Sequence, residues 1–143
     1  EYYAKQIAKI NQNAIGASCP ELEVVTVDGE RRKLSELIAN TMTILFFNDG
    51  DCIDCMISKL KLSTSVPLNN LIAQGKVKVV CITPKKYTAE WAADARGWAS
   101  NWDIVASEDA MDVFDIRISP SVFVLDEQKC ISHKNITVEM LLR

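Results

Sequence analysis

Two cysteines three positions apart, Cys52-Ile53-Asp54-Cys55, offer the most specific chemistry in this chain. They directly follow residues 41–48 (TMTILFFN), an almost wholly apolar run, and directly precede a helical pattern. Cysteines so spaced in the first turn of a helix share one face, with Cα atoms within about 5–6 Å, a separation that suits a reversible disulfide. The unpaired amides and the positive dipole end of the helix would stabilise the thiolate of Cys52. The same spacing also makes half of a zinc site, which needs a second pair of ligands, and only the scattered Cys81, Cys130 and His133 are on offer.

The elements that must position this pair are legible as alternating patterns. Residues 1–13 carry Tyr3, Ile7 and Ile10 at helical spacing, with Gly16 as a stop. Residues 22–27 predict a strand closed by Asp28-Gly29, and residues 33–39 a short helix. Residues 42–48 and 77–83 (VKVVCIT) are the continuous apolar runs of strands buried on both faces. Residues 52–65 predict a helix limited near Pro67, and residues 68–74 a further helix ending at Gly75. Residues 88–99 read as a helix capped by Thr88. A short strand is expected at 103–106, a helical turn at 110–114, and an antiparallel hairpin from 121–126 and 130–133 across the turn at Glu127-Gln128. Strands alternating with helices imply parallel pairs joined by crossovers.

At 143 residues the chain is long enough for one domain with a proper core and short for two. Its 48% apolar and 24% charged residues match an ordinary globular composition. The net charge of −3, with basic clusters no larger than Arg31-Arg32-Lys33 and Lys85-Lys86, argues against a nucleic-acid surface, and both clusters read as solvated turns. No apolar run reaches the roughly eighteen residues of a transmembrane segment. The helical pattern is already under way at residue 1 and the last segment, 137–143, is short. The expected organisation is therefore a helical extension at 1–15 and one domain at 16–143, excised or processed from a longer product, with a shortened final helix and any targeting signal outside the sequence.

With these residues in place, the chain resembles the thioredoxin-like superfamily, in particular thiol–disulfide oxidoreductase domains of the bacterial TlpA/ResA type, over residues 16–143. The matching features are Gly16-Ala-Ser-Cys-Pro20, the hairpin signal at 22–29, the buried strand feeding Cys52-Ile-Asp-Cys55, the strand 77–83 before Pro84, and residues 114–126 (FDIRISPSVFVLD). The resemblance implies an α/β thioredoxin fold, a central mixed β-sheet flanked by helices, with an N-terminal helix and strand extension. It implies a cis peptide bond before Pro120, with Ser119 and Pro120 forming a backbone edge beside the two cysteines where an extended substrate segment pairs. It further implies protein or peptide disulfides as substrates, a separate redox partner, no cofactor and no metal. The location it implies is the bacterial cell envelope, periplasmic or lipid-anchored.

The implied chemistry is thiol–disulfide exchange. Cys52 attacks a substrate disulfide as the thiolate, and Cys55 resolves the mixed disulfide. Three departures from the family bear on it. Asp49, Asp51 and Asp54 surround the pair where a tryptophan commonly precedes the first cysteine. A helix dipole contributes about 0.3–1 kcal/mol to a thiolate, and exposed carboxylates oppose it by comparable amounts. A thiolate so poorly stabilised favours the disulfide state, which points to a reductant. Phe46 and Ser58 stand where relatives carry a buried acid, so proton transfer at Cys55 must use water or a loop aspartate. Leu60 stands near the position of a helix proline.

The remaining candidates read as structural. Cys81 lies mid-strand and is expected to be a small buried apolar side chain. Cys19 and Cys130 lie near strand ends, exposed or paired. His133 is expected to be a bystander, and Trp91, Trp98 and Trp102 to be packing residues. A peroxidase of the peroxiredoxin kind would need a proline and threonine ahead of its cysteine, and residues 48–51 supply neither. The reading adopted is a thiol–disulfide oxidoreductase. The alternative is a redox-inert module of a larger extracytoplasmic protein, with Cys52–Cys55 as a structural staple.

Overall fold

The computed structural model describes residues 2–49 and 52–143. Gly50 and Asp51 of the acidic loop and Glu1 lie outside the described residues. The described residues form seven strands: β1 (Glu23–Thr26), β2 (Arg31–Lys33), β3 (Met42–Phe47), β4 (Val77–Thr83), β5 (Asp103–Ala106), β6 (Ser121–Leu125) and β7 (Ile131–Ile136). The helices are α1 (Tyr2–Gln12), α2 (Leu34–Leu37), α3 (Ile53–Ser63), α4 (Val66–Ala73), α5 (Ala89–Ala95), α6 (Ala110–Val113) and α7 (Val138–Leu141). The strands form one sheet in the order β2-β1-β5-β4-β3-β6-β7. β3 and β4 run parallel, as do β4 and β5, whereas β6 lies antiparallel to β3 and β7 antiparallel to β6. The expected mixed sheet with a terminal hairpin is the one that forms.

Alternation along the central strands builds two cores, one on each face of the sheet. Leu45 and Phe47 of β3 join Val80, Ile82, Phe114, Phe123 and Leu125 on one face. Ile44 and Phe46 join Val79, Cys81, Leu62, Val122 and Trp102 on the other. This double burial explains why β3, β4 and β6 read as unbroken apolar runs.

Several boundaries differ from the sequence pattern for identifiable reasons. Arg31-Arg32-Lys33 is an exposed strand paired to β1 rather than a solvated turn. α4 starts before Pro67, which sits in its first turn behind the Ser65 cap, where a missing amide costs nothing. α5 stops at Ala95 instead of near residue 99, closed by turns at Gly97 and Trp98 whose amides bond to Asp94 and Ala95 carbonyls. Those turns release Trp102 into the core against Phe46, ring centroids 6.3 Å apart. β7 runs on to Ile136 through register shifts against β6, with Asn135 at φ 53°, a conformation asparagine tolerates better than most residues. The apolar face of α1 stays largely exposed: Tyr3 is 74% exposed and Ile7 59%.

The segment that leads into β6 is held by polar contacts. Asn13, fully buried, accepts a hydrogen bond from the Asp115 amide at 3.2 Å and donates to the Val113 carbonyl at 3.0 Å. Asn135 donates to the Asp115 carbonyl at 2.8 Å and accepts from the Arg117 amide at 2.7 Å and the Ser121 hydroxyl at 3.0 Å. Asp115 receives the Arg117 guanidinium at 2.7 Å and the Lys134 ammonium at 3.4 Å. Burial pushes the Asp115 carboxyl up, but hydrogen bonds and charge from Arg117 and Lys134 together outweigh it and hold the carboxyl below its ordinary value.

The folded-state value therefore lies below the unfolded one. The stabilisation is complete above the unfolded value of about 3.9 and is lost as pH falls through the lower folded value. Asp115→Asn is expected to cost about 1–3 kcal/mol at neutral pH. That cost should shrink as urea melts are repeated at pH values below about 4. A cost that stays constant into strong acid would rule out the ionised pairing.

Candidate functional site

β3 ends at Phe47, and the chain turns through Asn48 and Asp49 before Cys52. Cys52 does not lie inside the helix: it is the N-cap of α3, extended at φ −99° and ψ 149°, and its Sγ accepts a hydrogen bond from the Cys55 amide at 3.0 Å. One orphan amide of the first turn is thus aimed at the cap sulfur, the local geometry that favours negative charge there. Cys52 and Cys55 are joined as a disulfide with Cα atoms 5.2 Å apart. The two sulfurs differ in access, since Cys52 is half-buried while Cys55 is 0% exposed.

The Ser119–Pro120 peptide bond is cis. Ser119 is brought from 64 positions away to place its Oγ 3.7 Å from Cys55 Sγ. β6 explains the approach. Ser121 pairs with Phe47, so the residues just before β6 lie level with those just after β3. Pairing of these two neighbouring strands puts both parts of the candidate site at the same end of the sheet's central strands.

Of the three loop aspartates, Asp49 lies close to the pair, with a carboxylate oxygen and the two sulfurs all within 4.8 Å of one another. Asp54 is exposed in the first turn of α3, and Asp51 is outside the described residues. Phe46 and Ser58, the positions where a buried acid was sought, are both buried and neither carries a carboxylate. Among the described residues, Asp49 is thus the carboxylate that groups with the two sulfurs.

Sequence reasoning missed a cleft of about 610 Å³ beside the pair. Asn48, Asp49, Cys55, Lys59, Trp91 and Trp98 contribute to its walls. Lys59 lies one turn beyond Cys55 on α3, and its Nζ sits 4.4 Å from the centroid of the Trp98 ring. Trp91 anchors its indole on the Thr83 hydroxyl at 3.0 Å. Asn48 is 1% exposed and donates to Cys81 Sγ at 3.0 Å, while its Oδ1 finds no donor among the described residues. The seven-residue interval between Trp91 and Trp98 was a usable signal for a shared wall. Asn48, ending an apolar run, carried none.

Cys81 and Cys19 are unsuited to attack. Burial, opposed by Lys59 and the Asn48 hydrogen bond, pushes the Cys81 thiol up to about 11. Burial and the charge of Glu21 push Cys19 up to about 12. Neither forms appreciable thiolate at neutral pH. Cys19 and Cys130 are not paired with each other: their thiols turn to different carbonyls, Pro20 at 3.4 Å and Gln128 at 3.8 Å. His133 is exposed on β7, with Nδ1 3.0 Å from the Ser132 hydroxyl. No helix among the described residues is long and apolar enough to cross a membrane.

No protein-family model and no curated protein matches the chain. Solved structures do. A conserved protein of unknown function from Bacteroides fragilis is 27% identical with a TM-score of 0.80, over 90% of this chain and 96% of that one. A domain of a possible thiol-disulfide isomerase from Cytophaga hutchinsonii is 26% identical with a TM-score of 0.70, over 90% and 88%. A thioredoxin-like protein from Bacteroides caccae superposes with a TM-score of 0.84 at 19% identity, over 97% of this chain but 51% of that one. The architecture expected from the sequence is shared with these proteins.

Proposed function

We propose that this chain, a member of the thioredoxin-like superfamily, is a thiol–disulfide oxidoreductase that exchanges its Cys52–Cys55 pair with disulfides of polypeptide substrates. The observation that carries the proposal is the asymmetry of the pair. The accessible Cys52 caps α3 and receives an amide hydrogen bond, while the buried Cys55 lies behind it with Ser119 alongside. A nucleophile must meet its substrate, and a resolving thiol must be shielded until the mixed disulfide forms.

In the reducing direction, Cys52 thiolate attacks one sulfur of the substrate disulfide, and the other substrate sulfur leaves as a thiolate. Cys55 then loses its proton and attacks Cys52 Sγ. The second substrate thiolate leaves, and two electrons have passed from the protein to the substrate. Asp49, within 4.8 Å of the sulfurs, is the group placed to take the Cys55 proton that Phe46 and Ser58 cannot. Its charge also opposes the Cys52 thiolate, which favours the disulfide and supports the reductant direction. The edge at Ser119-Pro120 is the proposed docking line for an extended substrate. Exposed Ile53 (77%) and Met56 (53%) offer apolar contact around it. A TlpA-type role outside the cytoplasm follows from the resemblance of the sequence.

The alternative, an inert module stapled by the disulfide, draws on the absence of an acid at Phe46 and Ser58. Insulin reduction separates the two readings. The wild-type protein with dithiothreitol is expected to precipitate insulin B chain well ahead of dithiothreitol alone. A rate equal to the dithiothreitol background would leave the staple.

A further inference from the structure

The two sulfurs have a second chemistry open to them once reduced. Asp49, Cys52 and Cys55 each present one ligand atom, and all three atoms lie within 4.8 Å of one another. We propose that the reduced protein binds one thiophilic divalent cation of the zinc class on Cys52 Sγ, Cys55 Sγ and an Asp49 carboxylate oxygen, and releases it when the pair is oxidised. The zinc reading of the sequence looked to Cys81, Cys130 and His133 for further ligands. The fold supplies the third from the loop instead.

Distances and charge both fit. Zinc–sulfur bonds of about 2.3 Å and zinc–oxygen bonds of about 2.0–2.2 Å in a tetrahedron set ligand atoms roughly 3.5–3.8 Å apart. The bonded sulfurs must part to reach this once the S–S bond is broken, and the carboxylate oxygen, within 4.8 Å of both, must close in by at most about an ångström. Two thiolates and a carboxylate bring three negative charges to a doubly charged ion. The helix N-terminus opposes with about half an elementary charge. Lys59, Lys85 and Lys86 on the cleft wall oppose as well, and Glu90 and Asp94 on the same wall offset them. Thiolate donors select zinc-like ions over magnesium or calcium.

Three protein ligands leave a fourth position for water, the arrangement of an exchangeable centre rather than a closed structural one. Asn48 supplies independent support. Its Oδ1 is a buried acceptor with no donor among the described residues, and Asn48 lines the cleft together with Asp49 and Cys55. Water on a bound cation is a strong donor for it. Release is balanced: a substrate disulfide takes two electrons and becomes two thiolates, the Cys52 and Cys55 sulfurs join, and the cation departs with no ligand pair to hold it. The proposal needs the pair to be reducible and does not require that it turn over protein disulfides.

Cobalt(II) is the probe, because thiolate ligation gives it intense near-ultraviolet charge-transfer absorption. Protein reduced with a phosphine and desalted anaerobically is expected to take up one equivalent, with loss of the absorption on adding zinc(II). The oxidised protein should show none. Asp49→Ala is expected to weaken binding about tenfold or more, and Cys55→Ser to abolish the charge-transfer signal. Circular dichroism and re-formation of the disulfide in Asp49→Ala establish that the variant is folded. Three outcomes would each overturn the proposal: no absorption in the reduced wild type, a pair that resists reduction, or Asp49→Ala binding as tightly as wild type. Insulin reduction by metal-free protein reads the oxidoreductase proposal separately.

Discussion

Cys55→Ser should turn the protein into a trap. With the resolving thiol gone, Cys52 still attacks a substrate disulfide, but the mixed disulfide has no partner within the protein to break it. The expected product is a covalent adduct with the substrate, stable on non-reducing gels and released by dithiothreitol. Cys52→Ser should form no adduct, and its insulin reduction should fall to the dithiothreitol background, since loss of the nucleophile removes the first bond-making step. The asymmetry behind this expectation is structural. Cys52 is the half-buried cap of α3, and Cys55 is fully buried beneath it. Cys81 and Cys19 cannot stand in, because burial pushes their thiols far above neutral pH, to about 11 and about 12. An adduct formed by Cys52→Ser and not by Cys55→Ser would reverse the assignment of roles, and adducts formed equally by both would move the chemistry to another thiol such as Cys130. Persistent activity in Cys52→Ser would remove the pair from the reaction.

The largest loss of stability is expected from Phe47→Ala. Phe47 is 2% exposed, and its ring lies 5.0 Å from Phe114 and 5.4 Å from Phe123, which are themselves 5.5 Å apart. Removing one ring from this closed triangle strips buried apolar area and leaves a cavity bounded by two rigid neighbours that cannot easily collapse into it. The cost of such a truncation is about 3–5 kcal/mol, a large share of the roughly 5–15 kcal/mol by which a domain of this kind is stable. Equilibrium urea unfolding should show the midpoint falling sharply with the slope unchanged. Phe47→Leu, which keeps more of the volume, should lose less. A midpoint within about 0.5 kcal/mol of wild type would contradict the packing described. Phe47 is also the last residue of β3, so the same truncation loosens the platform from which Asn48 and Asp49 reach the sulfurs.

Much of this was legible because burial on both faces writes an unmistakable pattern. MTILFF, VKVVCIT and SVFVL have no polar face to confuse with a helix, and they became β3, β4 and β6 within a residue of expectation. Cys52 and Cys55 were legible for a different reason, since their spacing is local and a helix start fixes it. Long-range partners were harder. Ser119 beside Cys55 came from resemblance to relatives, not from any pattern in its own neighbourhood. Asn13 and Asn135 make side-chain hydrogen bonds to a segment about twenty to one hundred residues distant, and an asparagine in a turn looks the same whether or not it makes such bonds. α5 ends short of its helical composition, since Ala and Trp continue that composition past Ala95 while the packing of Trp102 against Phe46 requires the chain to turn.

The order of the sheet leaves β2 and β7 as its two outer strands. An outer strand is a template on which another molecule can add a strand of its own, and repetition of that step makes fibrils. Neither border invites it. β2 is three residues long, and all three, Arg31, Arg32 and Lys33, are exposed and charged, so a newcomer would have to desolvate these side chains and the glutamates paired with them. β7 breaks its own regularity, with register shifts against β6 and Asn135 at positive φ interrupting the flat ladder a newcomer would need. The cluster that looked like a solvated turn in the sequence thus guards one border of the sheet, and the irregular hairpin guards the other. Both would help keep the protein dispersed while β3, β4 and β6, the most aggregation-prone runs in the chain, are still finding one another.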